Sequence, residues 1–165
     1  AFLGDQALLL GSGYVWASAQ GVGATLPVTL TGSASWGLAA PGFTVVTAYD
    51  KAQALLADGG VAWSRGFGGY VPTGALLEGG GALFTAQTGD GGSRLFVLGP
   101  GGAEQLACPL PGTVNAQAPG FGQWVAHVND RGQEAIVAFD ADVGGLAPRG
   151  WVTPAGSANN DRRPR

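Results

Sequence analysis

The chain has 165 residues, including 31 glycines and 10 prolines, with 45% hydrophobic and only 12% charged residues. This length suits one domain with a sizeable core, and the apolar content excludes a disordered chain. The chain has only eight basic residues against eleven acidic ones, a net charge of −3, which argues against a basic face for a nucleic-acid partner. We therefore expect many short strands joined by tight turns, and no nucleic-acid binding.

The first predicted hairpin joins residues 14–19 to residues 25–30. A short apolar run at residues 7–10 precedes it and ends at Gly11. Pro27 lacks a backbone donor, which predicts an edge strand or a bulge at that point. Residues 33–42 are predicted to be a connection, in which Trp36 fills the core.

The second hairpin begins with residues 43–49, which have the highest β-propensity in the chain. Residues 52–57 have helical propensity, but the segment is short, uncapped and bounded by turn signals. A strand is therefore favoured over a helix. A further strand is predicted at residues 61–63.

Two more hairpins follow along the chain. The third joins residues 82–87 to 94–98, and another strand is predicted at residues 104–108. The fourth lies between Gly122 and Gly145. Its two alternating strands are joined by a turn at residues 129–132, where Asn, Asp and Gly suit the backbone conformation.

The hairpins recur at a regular spacing. They open near Tyr14, Phe43, Ala82 and Gln123, at intervals of 29, 39 and 41 residues. Intervals near 40 residues with room for four short strands are typical of β-propeller blades. The short first interval indicates a trimmed or misplaced first unit.

The exit of the fourth hairpin resembles a known repeat. Residues 138–145, AFDADVGG, are similar to the A-x-D-x-x-T-G signature of the quinoprotein-type (PQQ-like) propeller repeat. Ala138, Asp140 and Gly144 match this signature, and Val143 replaces the usual threonine. The tryptophan that follows in such repeats would be Trp151, which comes later than usual.

The carboxyl-terminal tail resembles the opening of another blade in that family. The matching positions are Trp151, Asn159 or Asn160, and Arg162. The resemblance implies an all-β fold with about four antiparallel, four-stranded blades that form part of a larger propeller; a closed four-bladed ring is the alternative. Residues 1–150 would be the repeat region, and residues 151–165 the tail that opens a further blade.

Asp140 and Asp142 are the only candidate metal ligands that the sequence singles out. They share a face if the segment is extended, so they could act as paired carboxylates or bind calcium. The alternative is that Asp140 caps the turn at Val143 and Gly144. We favour the cap, and predict no catalytic residue, metal or cofactor.

The single histidine and the single cysteine are predicted to be structural. His127 shares a strand face with Val125, and the other face carries Trp124, Ala126 and Val128. Cys108 is predicted to be a buried, inert thiol. Ser93 lies in a Gly-Gly-Ser run that lacks the last glycine of a nucleophile elbow.

These features favour a non-catalytic propeller scaffold that binds or assembles with other chains or with remaining propeller blades. The predicted location is extracytoplasmic, in a secreted or cell-envelope protein, and the chain looks like a processed or excised piece. No apolar stretch is long enough to span a membrane. Two alternatives are a fragment of a quinoprotein-type dehydrogenase and a carbohydrate-binding propeller, for which the aromatic residues would form a glycan-binding face.

Overall fold

The computed structural model describes residues 2–3, 6–18, 25–33, 36–40, 43–56, 60–120, 123–139 and 145–146. Side chains are described for residues 36–38, 44–56, 60–117, 123–138 and 145–146. These parts of the chain form short strands and a single 3-10 turn at Glu78–Gly80. The strands are β1 Phe2–Leu3, β2 Gln6–Ser18, β3 Thr25–Ser33, β4 Trp36–Ala40, β5 Phe43–Ala48, β6 Lys51–Leu56, β7 Val61–Gly66, β8 Thr73–Leu76, β9 Ala82–Gln87, β10 Ser93–Leu98, β11 Glu104–Leu110, β12 Thr113–Gly120, β13 Gln123–Asp130 and β14 Gln133–Phe139.

The strands form four antiparallel sheets in which each strand pairs with the next one along the chain. We call these sheets blades 1 to 4. Blade 1 contains β1–β3, blade 2 contains β4–β7, blade 3 contains β8–β11, and blade 4 contains β12–β14. Blades 2 and 3 are four-stranded, and within the described residues blades 1 and 4 are three-stranded. The predicted all-β fold of about four antiparallel blades is therefore confirmed.

The predicted hairpins correspond to the second and third strands of each blade. β2 pairs with β3, β5 with β6, β9 with β10, and β13 with β14. The second strand of blade 1 begins at Gln6 and continues through Gly11, where the sequence predicted a break. The first interval is thus 37 residues, from Gln6 to Phe43, so the first unit was misplaced rather than short.

Pro27 lies in β3, the last strand of the described blade 1 sheet, as the edge prediction requires. Residues 51–56 form strand β6, which confirms the preference for a strand over a helix. Flanking strands β5 and β7 pair with both of its edges, and these backbone hydrogen bonds override its helical propensity.

The prediction of a connection at residues 33–42 was wrong. Trp36–Ala40 form strand β4, which pairs with β5 from Trp36↔Thr47 to Ala40↔Phe43. Its glycine and alanines have low intrinsic β-propensity, so the strand depends on pairing with its neighbour. Strand β12, which was also missed, contains Asn115 and Pro119 and pairs with β13.

Blades 2, 3 and 4 pack face to face through two apolar clusters. The first strands of successive blades are neighbours, since β4 contacts β8 and β8 contacts β12. Between blades 2 and 3, the cluster is built around Leu38, Val45, Phe84 and Phe96. Between blades 3 and 4 it includes Leu83, Leu95, Val97, Trp124, Ala126 and Val128. Both faces of blade 3 are therefore buried, which explains why its strands are apolar on both sides.

The β7–β8 and β11–β12 links, which join blade 2 to blade 3 and blade 3 to blade 4, repeat one close contact. In the β7–β8 link, a Cβ added at Gly69 would overlap the carbonyl oxygen of Gln87. In the β11–β12 link, a Cβ added at Gly112 would overlap the carbonyl oxygen of Asn129. Each link thus presses its backbone against the end of the next blade's second strand, and glycine leaves room for this approach.

Candidate functional site

Asp140 and Asp142 lie outside the described residues, as do Trp151, Asn159, Asn160 and Arg162 in the tail. The calcium and capping hypotheses for the two aspartates therefore stay predictions. Within the residues that the structure does describe, no three His, Cys, Asp or Glu side chains are grouped closely enough to hold a metal ion.

His127 lies in β13 on the face opposite the core of blades 3 and 4. Trp124, Ala126 and Val128 are buried and His127 is half-buried, as the alternating pattern predicts. Its Nε2 atom lies 3.6 Å from Oε2 of Glu134 on the adjacent strand β14. The described surroundings of His127 are thus a cross-strand carboxylate and apolar neighbours rather than a nucleophile.

Ser93 has a structural role at the junction of blades 3 and 4. Its Oγ accepts a hydrogen bond of 2.9 Å from the backbone N–H of Val114, in a buried environment. This contact ties the start of β10 to β12 in the next blade. The Ser93 hydroxyl therefore takes part in a hydrogen bond between two blades.

Cys108 is half-buried in β11 rather than fully buried as predicted, and it packs against the cluster between blades 3 and 4. Desolvation raises the pKa of its thiol, and the charge of Arg94 opposes this effect only in part. A raised pKa reduces the reactive thiolate fraction at neutral pH, which fits the inert thiol that the sequence predicts.

The glycine-rich turn between β9 and β10 is built around Asp90. Its Oδ1 accepts hydrogen bonds from Oγ1 of Thr88 at 2.6 Å and from the N–H of Gly92 at 3.1 Å. These two bonds hold the pKa of the exposed Asp90 carboxyl below its ordinary value. The turn is thus an internally bonded Asx-type turn.

Most described aromatic side chains fill the interface between blades 2 and 3. Trp36 donates from Nε1 to the carbonyl oxygen of Val71 at 3.0 Å, and its ring lies 6.1 Å from that of Phe84. Phe67 lies 5.3 Å from Phe84 and 5.0 Å from Phe96. The prediction that Trp36 fills the core is confirmed.

Arg65 packs against the outer side of this aromatic interface. Its guanidinium lies 5.6 Å from the Phe96 ring centre and pairs with Glu104. Arg65 belongs to β7 of blade 2 and Glu104 to β11 of blade 3. The ion pair thus bridges the last strands of two consecutive blades.

Tyr49 and Tyr70 form an aromatic pair outside these interfaces. Tyr49, in the β5–β6 turn, is 66% exposed, and the two ring centres are 5.5 Å apart at an interplanar angle of 35°. The N–H of Val71 donates to the carbonyl oxygen of Tyr49 at 2.8 Å. This bond holds the β7–β8 link, and with it Tyr70, beside the turn.

The outward face of blade 4 is the most unusual surface in the described part of the chain. We call it the open face, and it consists of Val125, His127, Glu134, Ile136 and Ala138 on β13 and β14. Ile136 is 69% exposed, although it sits in mid-strand opposite His127. With Val125 and Ala138 beside it, Ile136 gives this side of the sheet an apolar character. The sequence placed His127 here, but the exposure of Ile136 depends on blade packing and carried no sequence signal.

No known protein family profile matches the chain, and no curated protein sequence matches it either. Solved structures do share its fold. BBS1N, crystallised in complex with ARL6DN, matches with a TM-score of 0.63 and 14% identity, over 84% of this chain and 48% of that one. The computationally designed Ika8 protein matches with a TM-score of 0.63 and 18% identity, over 87% of this chain and 49% of that one.

A protein of unknown function from Bacteroides caccae also matches, with a TM-score of 0.58 and 14% identity, over 86% of this chain and 60% of that one. BBS1N is a β-propeller. The blades described above therefore belong to a propeller fold. The chain spans about half the length of the first two structures that it matches.

The described part of the chain includes no helix with the length and hydrophobicity needed to cross a membrane.

Proposed function

We propose that this chain is a non-catalytic β-propeller scaffold that binds other protein chains or further propeller blades. The open face of blade 4 carries this proposal. It presents Val125, Ile136 and Ala138 to the outside of the sheet, whereas both faces of blade 3 are covered by neighbouring blades. Covering such apolar surface is the main favourable contribution to protein association.

The structural roles of the polar groups support a scaffold. Ser93 joins two blades, Asp90 organises a turn, and Arg65 bridges two outer strands to Glu104. Ser93 and Arg65 connect neighbouring blades, and Asp90 stabilises a turn within blade 3. The function assigned to them is thus to hold surfaces in fixed relative positions.

Hydrogen exchange on the native assembly tests this proposal. The chain would be affinity-purified from its source cells with whatever accompanies it, and compared with the isolated chain at low concentration. We expect the amides of residues 133–138 to exchange more slowly in the native assembly, because a partner covers the open face. Equal exchange in the two samples would count against a scaffold that works through blade 4.

We further propose that the repeats are of the quinoprotein type and that the protein is extracytoplasmic. The matches of Ala138, Asp140 and Gly144 to the repeat signature support the first part. The location rests on the same resemblance. Fractionation of the source cells tests it, and recovery of the protein in the cytosol would contradict it.

The exposed Tyr49–Tyr70 pair favours carbohydrate binding as a second candidate function. Aromatic rings that are partly open to solvent present flat apolar faces against which a sugar ring can pack. A glycan-binding screen would test this, with Tyr49→Ala as the variant. Val61→Ala is the control, because Val61 is also exposed but begins β7, where it pairs with Leu55 at the far end of β6. We expect binding that is lost only in Tyr49→Ala; no binding at millimolar sugar would remove this candidate.

A further inference from the structure

Tyr49 and Tyr70 belong to two segments that meet where blade 2 joins blade 3. Tyr49 lies in the β5–β6 turn, and Tyr70 lies in the β7–β8 link. The N–H of Phe67 donates to the carbonyl oxygen of Asp50, and the N–H of Gln87 donates to that of Tyr70, both at 2.8 Å. The link that carries Tyr70 is thus bonded to the turn of blade 2 and to the end of β9 in blade 3.

The β5–β6 turn does not need a tyrosine for its own conformation. Tyr49 has a φ of 41°, in the left-handed region that glycine adopts at the least cost. The corresponding turns of the next two blades place Gly91 and Gly132 at positive φ, both at 85°. Tyr49 instead holds a ring that is 66% exposed at such a position. An outlier of this kind points to a function for the side chain.

The two rings are held in place before any partner binds. The carbonyl oxygen of Tyr49 accepts the N–H of Val71, which follows Tyr70 directly in the chain. A Cβ added at Gly69 would overlap the carbonyl oxygen of Gln87, so the link already lies in close contact with blade 3. A preformed site of this kind loses little conformational freedom when it binds a ligand.

Aspartates flank the ring pair on both sides. Asp50 follows Tyr49 in the same turn, and the exposed Asp90 lies in the β9–β10 turn, which comes directly after the Gln87 that bonds to Tyr70. Oδ1 of Asp90 is bonded within its own turn, which leaves Oδ2 to accept from a partner. Lys51, at the start of β6, adds one positive charge beside these two carboxylates.

We propose that the Tyr49–Tyr70 pair binds an arginine side chain of a partner protein. The inference rests on the proposed scaffold function and gives the chain a second contact besides the open face. A planar guanidinium stacks on aromatic faces and donates to carboxylates. Rings beside two aspartates offer it both interactions. A neutral sugar could pack against the same rings but would gain no Coulombic attraction from the carboxylates, so the cation is favoured.

Isothermal titration calorimetry on the purified 165-residue chain tests the proposal. The probe is an acetylated and amidated octapeptide of alternating glycine and arginine. Its control peptide replaces each arginine with citrulline, which has nearly the same shape but no charge. We expect the arginine peptide to bind at least about tenfold more tightly at low ionic strength, because only the guanidinium carries a charge.

Two variants separate the rings from the charges. Tyr49→Ala should weaken binding of the arginine peptide about three- to tenfold, because it removes one of the two rings. Asp90→Asn should also weaken it, and asparagine keeps the oxygen that accepts the bonds from Thr88 and Gly92. Glu78→Gln is the matched control, since it removes the same charge from an exposed residue at the opposite end of β9.

Circular dichroism would first establish that all three variants keep the fold. Equal affinity for the two peptides, unchanged binding in Tyr49→Ala, or equal losses in Asp90→Asn and Glu78→Gln would overturn the proposal. Glycan binding that depends on Tyr49, without binding of the arginine peptide, would overturn it in favour of a sugar. If the peptide does not bind but residues 133–138 are protected in the native assembly, this inference fails and the scaffold function stands.

Discussion

Gly74 is a position at which packing between two blades leaves no room for a side chain. It lies in β8 at the interface with blade 2, where an added Cβ would sit 2.7 Å from Cδ1 of Phe84 and 2.7 Å from Cη2 of Trp36. The carbonyl oxygen of Leu83 would be 2.8 Å away. A side chain here forces two packed rings and a strand backbone apart.

Gly74→Ala should therefore lower the free energy of unfolding by about 1–3 kcal/mol, the usual range for overpacking. Urea unfolding followed by circular dichroism would measure it. Gly89→Ala is the matched control, because nothing lies within 4 Å of its added Cβ. If the two variants unfold at the same urea concentration, blades 2 and 3 do not approach each other as closely at Gly74 as the structure indicates.

Two fully buried threonines differ in hydrogen bonding, so replacing them with valine should change stability in opposite directions. Oγ1 of Thr47 donates to the carbonyl oxygen of Trp36 at 3.1 Å, whereas Oγ1 of Thr85 has no hydrogen-bond partner among the described residues. Thr47→Val should destabilise the protein by about 1 kcal/mol through the lost bond. Thr85→Val should be neutral or stabilising by up to about 1 kcal/mol, since it removes a desolvated hydroxyl.

Thermal unfolding of the two variants, each compared with the unmodified chain, would measure this contrast. Each variant acts as the other's control, because both replace a hydroxyl by a methyl group in the second strand of a blade. A loss of stability in Thr85→Val equal to that in Thr47→Val would show that its hydroxyl is bonded.

Among the elements, the β9–β10 turn should respond to acid. The folded pKa of Asp90 lies below its ordinary value of 3.8, because the ionised carboxylate accepts two hydrogen bonds. The ionised Asp90 carboxylate therefore contributes its full stabilisation above pH 3.8. This stabilisation is lost as the pH falls through the folded pKa of Asp90. The exposed position limits the size of this contribution.

Asp90→Ala should thus be less stable than the unmodified chain at neutral pH, and the difference should shrink as the pH is lowered below 3.8. Urea unfolding at a series of pH values would measure it. Asp130→Ala, at the turn of the next blade, serves as the control. A difference that grows in acid would reverse the sign derived from the structure.

The hairpins were the elements best predicted from the sequence. The β13–β14 turn is an example, because Arg131 and Gly132 both have positive φ, at 53° and 85°. Two such residues between alternating strands specify a primed two-residue turn, and Oδ1 of Asn129 also accepts a bond from the N–H of Gly132. Local residues carry this information.

Strand β4 could not be predicted in the same way. Gly37 and Ala39 have no strong strand preference, and the strand forms because β5 is beside it and blade 3 lies across it. The exposure of the open face was not predicted either, although the sequence correctly placed Val125 and His127 on the same side of the strand. Whether that side is covered depends on blade packing, which strand alternation does not encode.

On the scale of the whole molecule, the shared apolar clusters should make blades 2, 3 and 4 unfold together. Blade 3 contributes residues to both clusters, so opening it exposes the adjoining faces of its neighbours. Native-state hydrogen exchange should give similar opening free energies for buried amides in β5, β9 and β13. A distinctly lower value for β13 alone would show that blade 4 opens as an independent unit.

The pairing of Leu77 with Leu146 has a consequence for the order of folding during synthesis. Leu146 comes after blade 4 in the chain, yet it forms an antiparallel bridge with Leu77 at the end of β8, and the N–H of Glu78 donates to the carbonyl oxygen of Gly145. Blade 3 is translated long before these partners exist. During synthesis, the connection between β8 and β9 therefore lacks these two contacts until residues 145 and 146 have left the ribosome. Blade 3 can complete its hydrogen bonding only after blade 4 has been synthesised.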